Sequence, residues 1–202
     1  MKKVTVPLDS RFYDILIGED LISNFPIYLE GILSRNFLAI ITDKNVEKVQ
    51  LSRLVKALSA SGIETKILSI DPGEGSKSWK TLQITVDWML ASKIERNDVG
   101  VALGGGVVGD LVGFAAAILR RGIRFIQCPT SLLAQVDSSV GGKTGINSVH
   151  GKNLVGAFYQ PSLVISDIST LNTIKERDFL AGYGEVVKYL SLIHISEPTR
   201  PY

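Results

Sequence analysis

The sequence is short of cysteine, histidine and one-sided charge, and each shortage removes a class of protein. One cysteine, Cys128, among 202 residues cannot close an intrachain disulfide. That excludes a disulfide-dense secreted module and makes a reducing cytoplasm the expectation. No basic segment followed by an apolar core and a small-residue cleavage site opens the chain, so no secretory leader is predicted. Its 22 basic and 20 acidic side chains leave a net charge of +2, without the basic stripe of a dedicated nucleic-acid binder. Of two histidines, His150 has no partner at metal-ligand spacing. Repeats and low-complexity segments are absent.

What is present is 45% hydrophobic residues with mixed charge, too apolar for a disordered chain. A chain of this length buries roughly 70% of its unfolded surface and needs no metal or disulfide to fold. Residues 99–119 carry one charge, Asp110, and are long enough to span a bilayer as a helix. Glycines 104, 105 and 106 in succession break such a helix near its start. A buried strand, a glycine turn and a packed helix explain the segment, and a soluble protein without a membrane partner is expected.

Short β-rich runs alternate with helical ones, the pattern of an α/β fold with a mostly parallel sheet. Residues 3–18 alternate apolar and polar and read as a pair of edge strands. The continuous apolar run 37–42 reads as a strand buried on both faces, with Asp43 at its carboxyl end. Helical spacing over 45–61 stops at Gly62. A strand over 64–70 and a helix over 78–93 follow, then a central strand 99–103 and a helix 107–119. Strands 124–128 and 163–168 flank a short helix over 131–138. Residues 139–161 show no periodicity and read as a long loop, which inside a compact domain is usually functional. Twelve of the 19 glycines fall in 100–156, and chemistry is sought there.

Gly104-Gly105-Gly106-Val107-Val108-Gly109 satisfies G-x-G-x-x-G between a strand and a helix, the context in which glycines admit a pyrophosphate to a helix N-terminus. The alternative is a tight strand–helix packing turn. No acidic residue ends the following strand where a ribose partner is expected, so Asp43 takes that role, or else is simply a helix N-cap. Gly141-Gly142-Lys143-Thr144 lacks the earlier glycine of a P-loop, since residue 137 is Asp. Residues from Thr130 and Ser131 through Asp137, Lys143, Lys152 and Asn153 combine cations with amide and carboxylate groups, suited to a small hydroxylated anion or else to solvent. Glu185 and Lys188, three apart, form by default a surface ion pair.

Residues 104–114, Arg121-Gly122, 129–147, 151–161 and Gly182-Tyr183-Gly184-Glu185-Val186-Val187-Lys188-Tyr189 together resemble the 3-dehydroquinate synthase family of sugar-phosphate cyclases, in order along the chain. The resemblance implies a Rossmann-like NAD-binding domain over 1–173. A helical metal and substrate domain would begin at 174–189. It implies that Asp43, Gly73, Glu74, Lys77, Gly105, Gly106, Val107, Val108, Gly109, Asp110, Thr130, Ser131, Lys143, Lys152, Thr170, Leu171, Asn172 and Thr173 hold NAD. Asp137, Lys143, Lys152, Asn153 and Lys188 would serve the substrate, and Arg121 its phosphate, from a neighbouring subunit of a homodimer. Glu185 would be the first ligand of a divalent zinc or cobalt ion whose two histidine ligands lie in the family's second domain.

The implied reaction converts 3-deoxy-D-arabino-heptulosonate 7-phosphate into 3-dehydroquinate and phosphate by transient oxidation, β-elimination, re-reduction and an intramolecular aldol closure. Related readings are a 2-deoxy-scyllo-inosose synthase, a metal-dependent glycerol-type dehydrogenase and a non-catalytic nucleotide-binding module. From residue 190 the run Leu-Ser-Leu-Ile-His-Ile-Ser-Glu-Pro-Thr-Arg departs from the family pattern and resembles a translated sequencing adapter. Residues 190–202 are therefore expected to be a non-native tail, with His194 no ligand, a face for the second domain exposed and turnover absent. All these roles predict one glycine-lined crevice shared by Asp43, Gly106 and Lys152.

Overall fold

The computed structural model describes residues 1–8 and 12–195. Seven strands form one sheet: β1 (Lys2–Pro7), β2 (Phe12–Gly18), β3 (Phe37–Asp43), β4 (Glu64–Ile70), β5 (Val99–Gly104), β6 (Arg124–Pro129) and β9 (Leu163–Asp167), in the order β1-β2-β9-β6-β5-β3-β4. Only β1 runs antiparallel to its neighbour; every other pair is parallel. Residues 3–18 were expected to be two edge strands, but β2 is interior, because its other edge pairs with β9.

Parallel strands covered on both faces should be apolar without interruption, and β3 and β5 are buried along nearly their whole length. Alternate side chains divide between two cores. Leu38, Ile40, Val101 and Leu103 face Leu54 and Leu58 of the helix α2 (Ser52–Ala60), while Ala39, Ile41 and Ala102 face α3 (Trp79–Ala91) and α4 (Gly106–Ile118). Burying each large side chain stabilises the fold by about 1.5–3 kcal/mol. The helix after β3 starts as α1 (Lys44–Val46), passes through a π-helical turn at Glu47–Leu51 and ends beside Gly62, whose φ of 71° suits glycine. α3 starts at Ser78, whose hydroxyl accepts the Thr81 N–H.

Residues 139–161, expected to be a loop, instead form a hairpin of β7 (Lys143–Ser148) and β8 (Gly151–Phe158) lying against α4. Gly145 pairs with Gly156 across the ladder, and a Cβ at Gly145 would sit 2.5 Å from the Val155 carbonyl oxygen. Two glycines where alternation would place side chains erase the period-2 signal. The last helix, α5 (Glu176–Ile195), continues into the segment expected to be a tail; residues 196–202 of that segment lie outside the described ones. No helix among the described residues is long and apolar enough to cross a membrane.

Candidate functional site

Chain direction locates the site. From β3 the chain moves outward to β4, then returns past β3 to β5 and proceeds the other way to β6. The carboxyl ends of β3 and β5 therefore flank a switch point, where α/β sheets open a crevice. Asp43 ends β3 and Gly104 ends β5. A Cβ at Gly104 would lie 2.6 Å from the Val108 side chain, so glycine is what lets α4 start this close to the strand. Gly105 caps α4 without any side-chain hydrogen bond, leaving its first N–H groups without a side-chain partner. Those donors and the positive end of a 13-residue helix suit an anion.

The crevice has a volume of about 540 Å³. Of the residues that the resemblance assigns to NAD, Asp43, Gly73, Gly105, Gly106, Val107, Thr130, Ser131 and Thr173 line it, and Gln50, Leu133 and Asp178 join them. Asp43 caps α1, its Oδ1 accepting the N–H groups of Asn45 at 2.8 Å and Val46 at 3.1 Å. Thr173 is held from both sides: its hydroxyl accepts from Gln50 Nε2 at 2.8 Å and donates to the Thr170 carbonyl at 2.8 Å. Gln50 escaped the sequence reading because it reaches the crevice through a π-turn, which has no sequence signature in this chain. The wide, glycine-floored mouth and the donors without side-chain partners fit a dinucleotide.

Not every expected cofactor residue is at this crevice. Val108 is buried against Gly104, Gly109 backs onto Gln127 and Thr170 is fully buried, its hydroxyl donating to the Asp167 carbonyl. Leu171 and Asn172 lie on the same turn as Thr173 but do not line the crevice. Asp110 lines a second hollow, about 480 Å³, between α4, the turn Ala134–Ser138 and the hairpin, while Lys77 and Glu74 line neither hollow and bond to Asp110 and Asn147 respectively. Asp137, Lys143 and Asn153 also line the second hollow. Lys77 is 4% exposed; its ammonium pairs with Asp110 Oδ2 at 2.5 Å and donates to Asn153 Oδ1. Burial raises the Asp110 carboxyl above its ordinary value, with Lys77 opposing and Glu74 and Asp137 adding to the rise. Asn147, which carried no assigned role in the sequence, ties the assembly together: its Nδ2 donates to Glu74 at 2.8 Å and its Oδ1 accepts the Asn153 N–H at 2.9 Å.

The single shared crevice is thus corrected to two hollows. Asp43 and Gly106 share the first, Lys143 and Asn153 the second, and Lys152 lines neither, being exposed on β8. Arg121 precedes β6 and is exposed at the amino ends of the strands, away from the crevice at their carboxyl ends, and it lines neither hollow. On α5, Tyr189 donates to Asp137 at 2.9 Å, and Lys188 pairs with Glu185 at 2.7 Å, raising the lysine through that hydrogen bond. Leu180, Tyr183, Val187 and Leu190 on α5 are exposed, as expected. No group of three or more His, Cys, Asp or Glu among the described residues could hold a metal ion. A zinc site needs at least three protein ligands, so Glu185, already paired, does not by itself fit a metal.

A family model described as the 3-dehydroquinate synthase N-terminal region matches residues 67–181. The chain is 58% identical over 186 residues to a 3-dehydroquinate synthase of Roseobacter denitrificans, covering 92% of this chain and 50% of that one. It is 56% identical over 189 residues to one of Ruegeria pomeroyi, covering 94% and 51%. The chain thus spans about half the length of the curated relatives it matches. A solved 2-deoxy-scyllo-inosose synthase complexed with carbaglucose-6-phosphate, NAD+ and Co2+ superposes with a TM-score of 0.84 at 28% identity, covering 93% of this chain and 50% of that one. A 2-epi-5-epi-valiolone synthase from Streptomyces hygroscopicus with NAD+ and Zn2+ bound superposes at 0.82 with 30% identity, covering 91% and 50%. With more than half its length matched by the family model, the chain belongs to the 3-dehydroquinate synthase family.

Proposed function

We propose that this chain carries the NAD-binding part of a cytoplasmic 3-dehydroquinate synthase, which converts 3-deoxy-D-arabino-heptulosonate 7-phosphate into 3-dehydroquinate and phosphate. The observation that supports it most is the α4 N-terminus, floored by glycine and uncapped by any side chain, opening on a crevice with Asp43 across from it. The amides of Gly106 and Val107 meet the pyrophosphate, and the second Asp43 oxygen accepts from ribose hydroxyls while the first caps α1. Thr130 and Ser131 add small polar groups along the wall. Bound NAD supplies reversible hydride acceptance, so the reaction has no net redox change.

The adjoining hollow takes the sugar acid. Lys143 offers a point charge to its phosphate or carboxylate, and Asn153 and Asp137 exchange hydrogen bonds with its hydroxyls. Residues 1–173 form the nucleotide unit, and 174–189 begin the part that closes over the substrate. Identities of 56–58% to 3-dehydroquinate synthases, against 28–30% to the other cyclases, favour this substrate over theirs.

Calorimetry on the chain as written tests the reading. NAD is expected to bind, Gly106→Val to weaken it at least tenfold by crowding the start of α4, where a Cβ would meet Ser138 Oγ at 2.9 Å and displace the amides that face the crevice, and phosphate release to be absent. No heat on NAD addition, or binding indifferent to Gly106→Val, overturns it.

A further inference from the structure

Lys77 stands in a run that the family resemblance assigns to the nucleotide, yet its ammonium faces away from the crevice and into the wall of the second hollow. It lies between Asp110 Oδ2 and Asn153 Oδ1 and is almost wholly buried. A lysine ammonium has three donors and no acceptor. Whatever it touches on Asn153 must therefore be the carboxamide oxygen, never the nitrogen. The Asn153 N–H is separately taken by Asn147 Oδ1, whose own N–H donates to the Lys77 carbonyl at 2.8 Å. Asn153 thus sits in the left-handed region, at φ 56°, gripped at its backbone and at its side-chain oxygen. Asparagine tolerates that conformation better than most residues. Among the described residues Asn153 Nδ2 has no partner, and Asn153 lines the hollow.

We infer that Lys77 is a positioning residue that fixes the polarity of Asn153, so that Asn153 presents hydrogen-bond donors, and no acceptor, to an acceptor oxygen of an anionic ligand in the second hollow. The inference rests on the proposed function for the nature of that ligand and extends it by assigning Lys77 to the substrate side and a sense of donation to Asn153. Lys143 on the same wall also only donates. Asp110 and Asp137 on the same lining accept, so the hollow suits a ligand that carries both acceptor oxygens, for Asn153 and Lys143, and hydroxyl donors.

The test reads the Asn153 side-chain amide by 15N-resolved NMR in this chain while inorganic phosphate, and separately 3-deoxy-D-arabino-heptulosonate 7-phosphate, is added. In the wild type at least one probe shifts the Asn153 Nδ2 resonances; if neither does, the inference is wrong. Removing Lys77 alone strands a half-buried carboxylate, so the comparison is made in an Asp110→Asn background. K77M/D110N is expected to weaken the responding probe at least tenfold, and K77R/D110N, whose guanidinium also only donates, to restore it to within threefold. Equal binding by both double variants overturns the inference. Asn153→Asp keeps an acceptor for Lys77 and removes the donor to the hollow. With no Nδ2 left to observe, its binding is read by calorimetry: it should lose the probe tenfold without a lower Tm, whereas a merely structural role predicts a lower Tm with the probe retained. A separate NAD titration distinguishes the failures: absent NAD binding defeats the proposed function while the Asn153 resonances still decide the role of Lys77.

Discussion

The two hollows lie on either side of the start of α4 and are built in opposite ways. The crevice at the strand ends is floored by backbone, glycines 73, 105 and 106 and the first turn of a helix, with longer side chains such as Gln50 and Asp178 on its walls. The hollow under the hairpin has no helix start facing it among the described residues; its polar groups are the side chains of Asp110, Asp137, Lys143 and Asn153 among small and apolar neighbours, with Lys77 and Asn147 bonded to Asp110 and Asn153. A backbone site is shaped by local sequence and recognises an extended anion by amides that cost nothing to reorient. A side-chain site depends on contacts between residues far apart in sequence and fails when one member is removed. The contrast fits a cofactor shared by many enzymes beside a substrate peculiar to one family.

The sharpest way to break the comparison is to remove the charge paired with Asp110 at the second hollow. Lys77→Met leaves the half-buried Asp110 without its cation, and losing one partner of a buried pair costs up to about 3–5 kcal/mol. For a chain of this size the midpoint of thermal unfolding should fall on the order of 10 °C, and K77M/D110N should recover most of the loss. A fall of only a degree or two would mean that the hairpin hollow is not held by charge. Next in size is Gly145→Val, where the new side chain meets the Val155 carbonyl across the hairpin. Overpacking of this kind costs about 1–3 kcal/mol. Amide exchange should speed up in β7 and β8 while β5 stays protected and NAD affinity holds within threefold. Loss of NAD binding would show the two sites to be one.

A smaller effect separates two roles of Asp43 in the crevice. Asp43→Ala removes the cap of α1 and costs about 1 kcal/mol, while Asp43→Ser keeps a capping oxygen. Both variants should bind NAD about tenfold more weakly, by calorimetry, because both lack the carboxylate. If only the alanine variant binds less well, Asp43 serves the helix and not the ribose.

The same contrast explains what could be read before the fold was seen. β3, β5 and the glycine turn announce themselves locally: Phe37–Asp43 is continuously apolar, and the run of glycines at 104–106 follows a strand directly. The strand ends and the glycine turn that open the crevice were therefore legible, while Gln50, Leu133 and Asp178 on its walls were not. The hairpin was not, because the facing Gly145 and Gly156 leave no alternation to detect. Lys77 was given to the nucleotide by the family resemblance; its partner Asp110 lies 33 positions later on another element. Arg121 required the direction of β6, since a turn at the amino end of a parallel strand cannot reach a crevice at the carboxyl ends.

The smallest expected effect is a difference in the sign of pH dependence between the second hollow and the far end of the sheet. Asp110 has its carboxyl raised, chiefly by burial. The stability its protonated form lends is complete below the ordinary Asp value of about 3.9 and is lost as pH rises through the raised value. Asp98 behaves oppositely. Burial pushes it up, but the Arg35 guanidinium at 2.5 Å, the Glu95 N–H and the Ser34 hydroxyl together pull it lower than usual. Its contribution is complete above about 3.9 and is lost as pH falls through the lowered value. Urea unfolding of wild type, Asp110→Asn and Asp98→Asn across that range should give difference curves of opposite slope. The wild type's margin over Asp110→Asn shrinks toward neutral pH, and its margin over Asp98→Asn shrinks toward acid. Two curves of the same slope would mean that Lys77 governs Asp110 as fully as Arg35 governs Asp98.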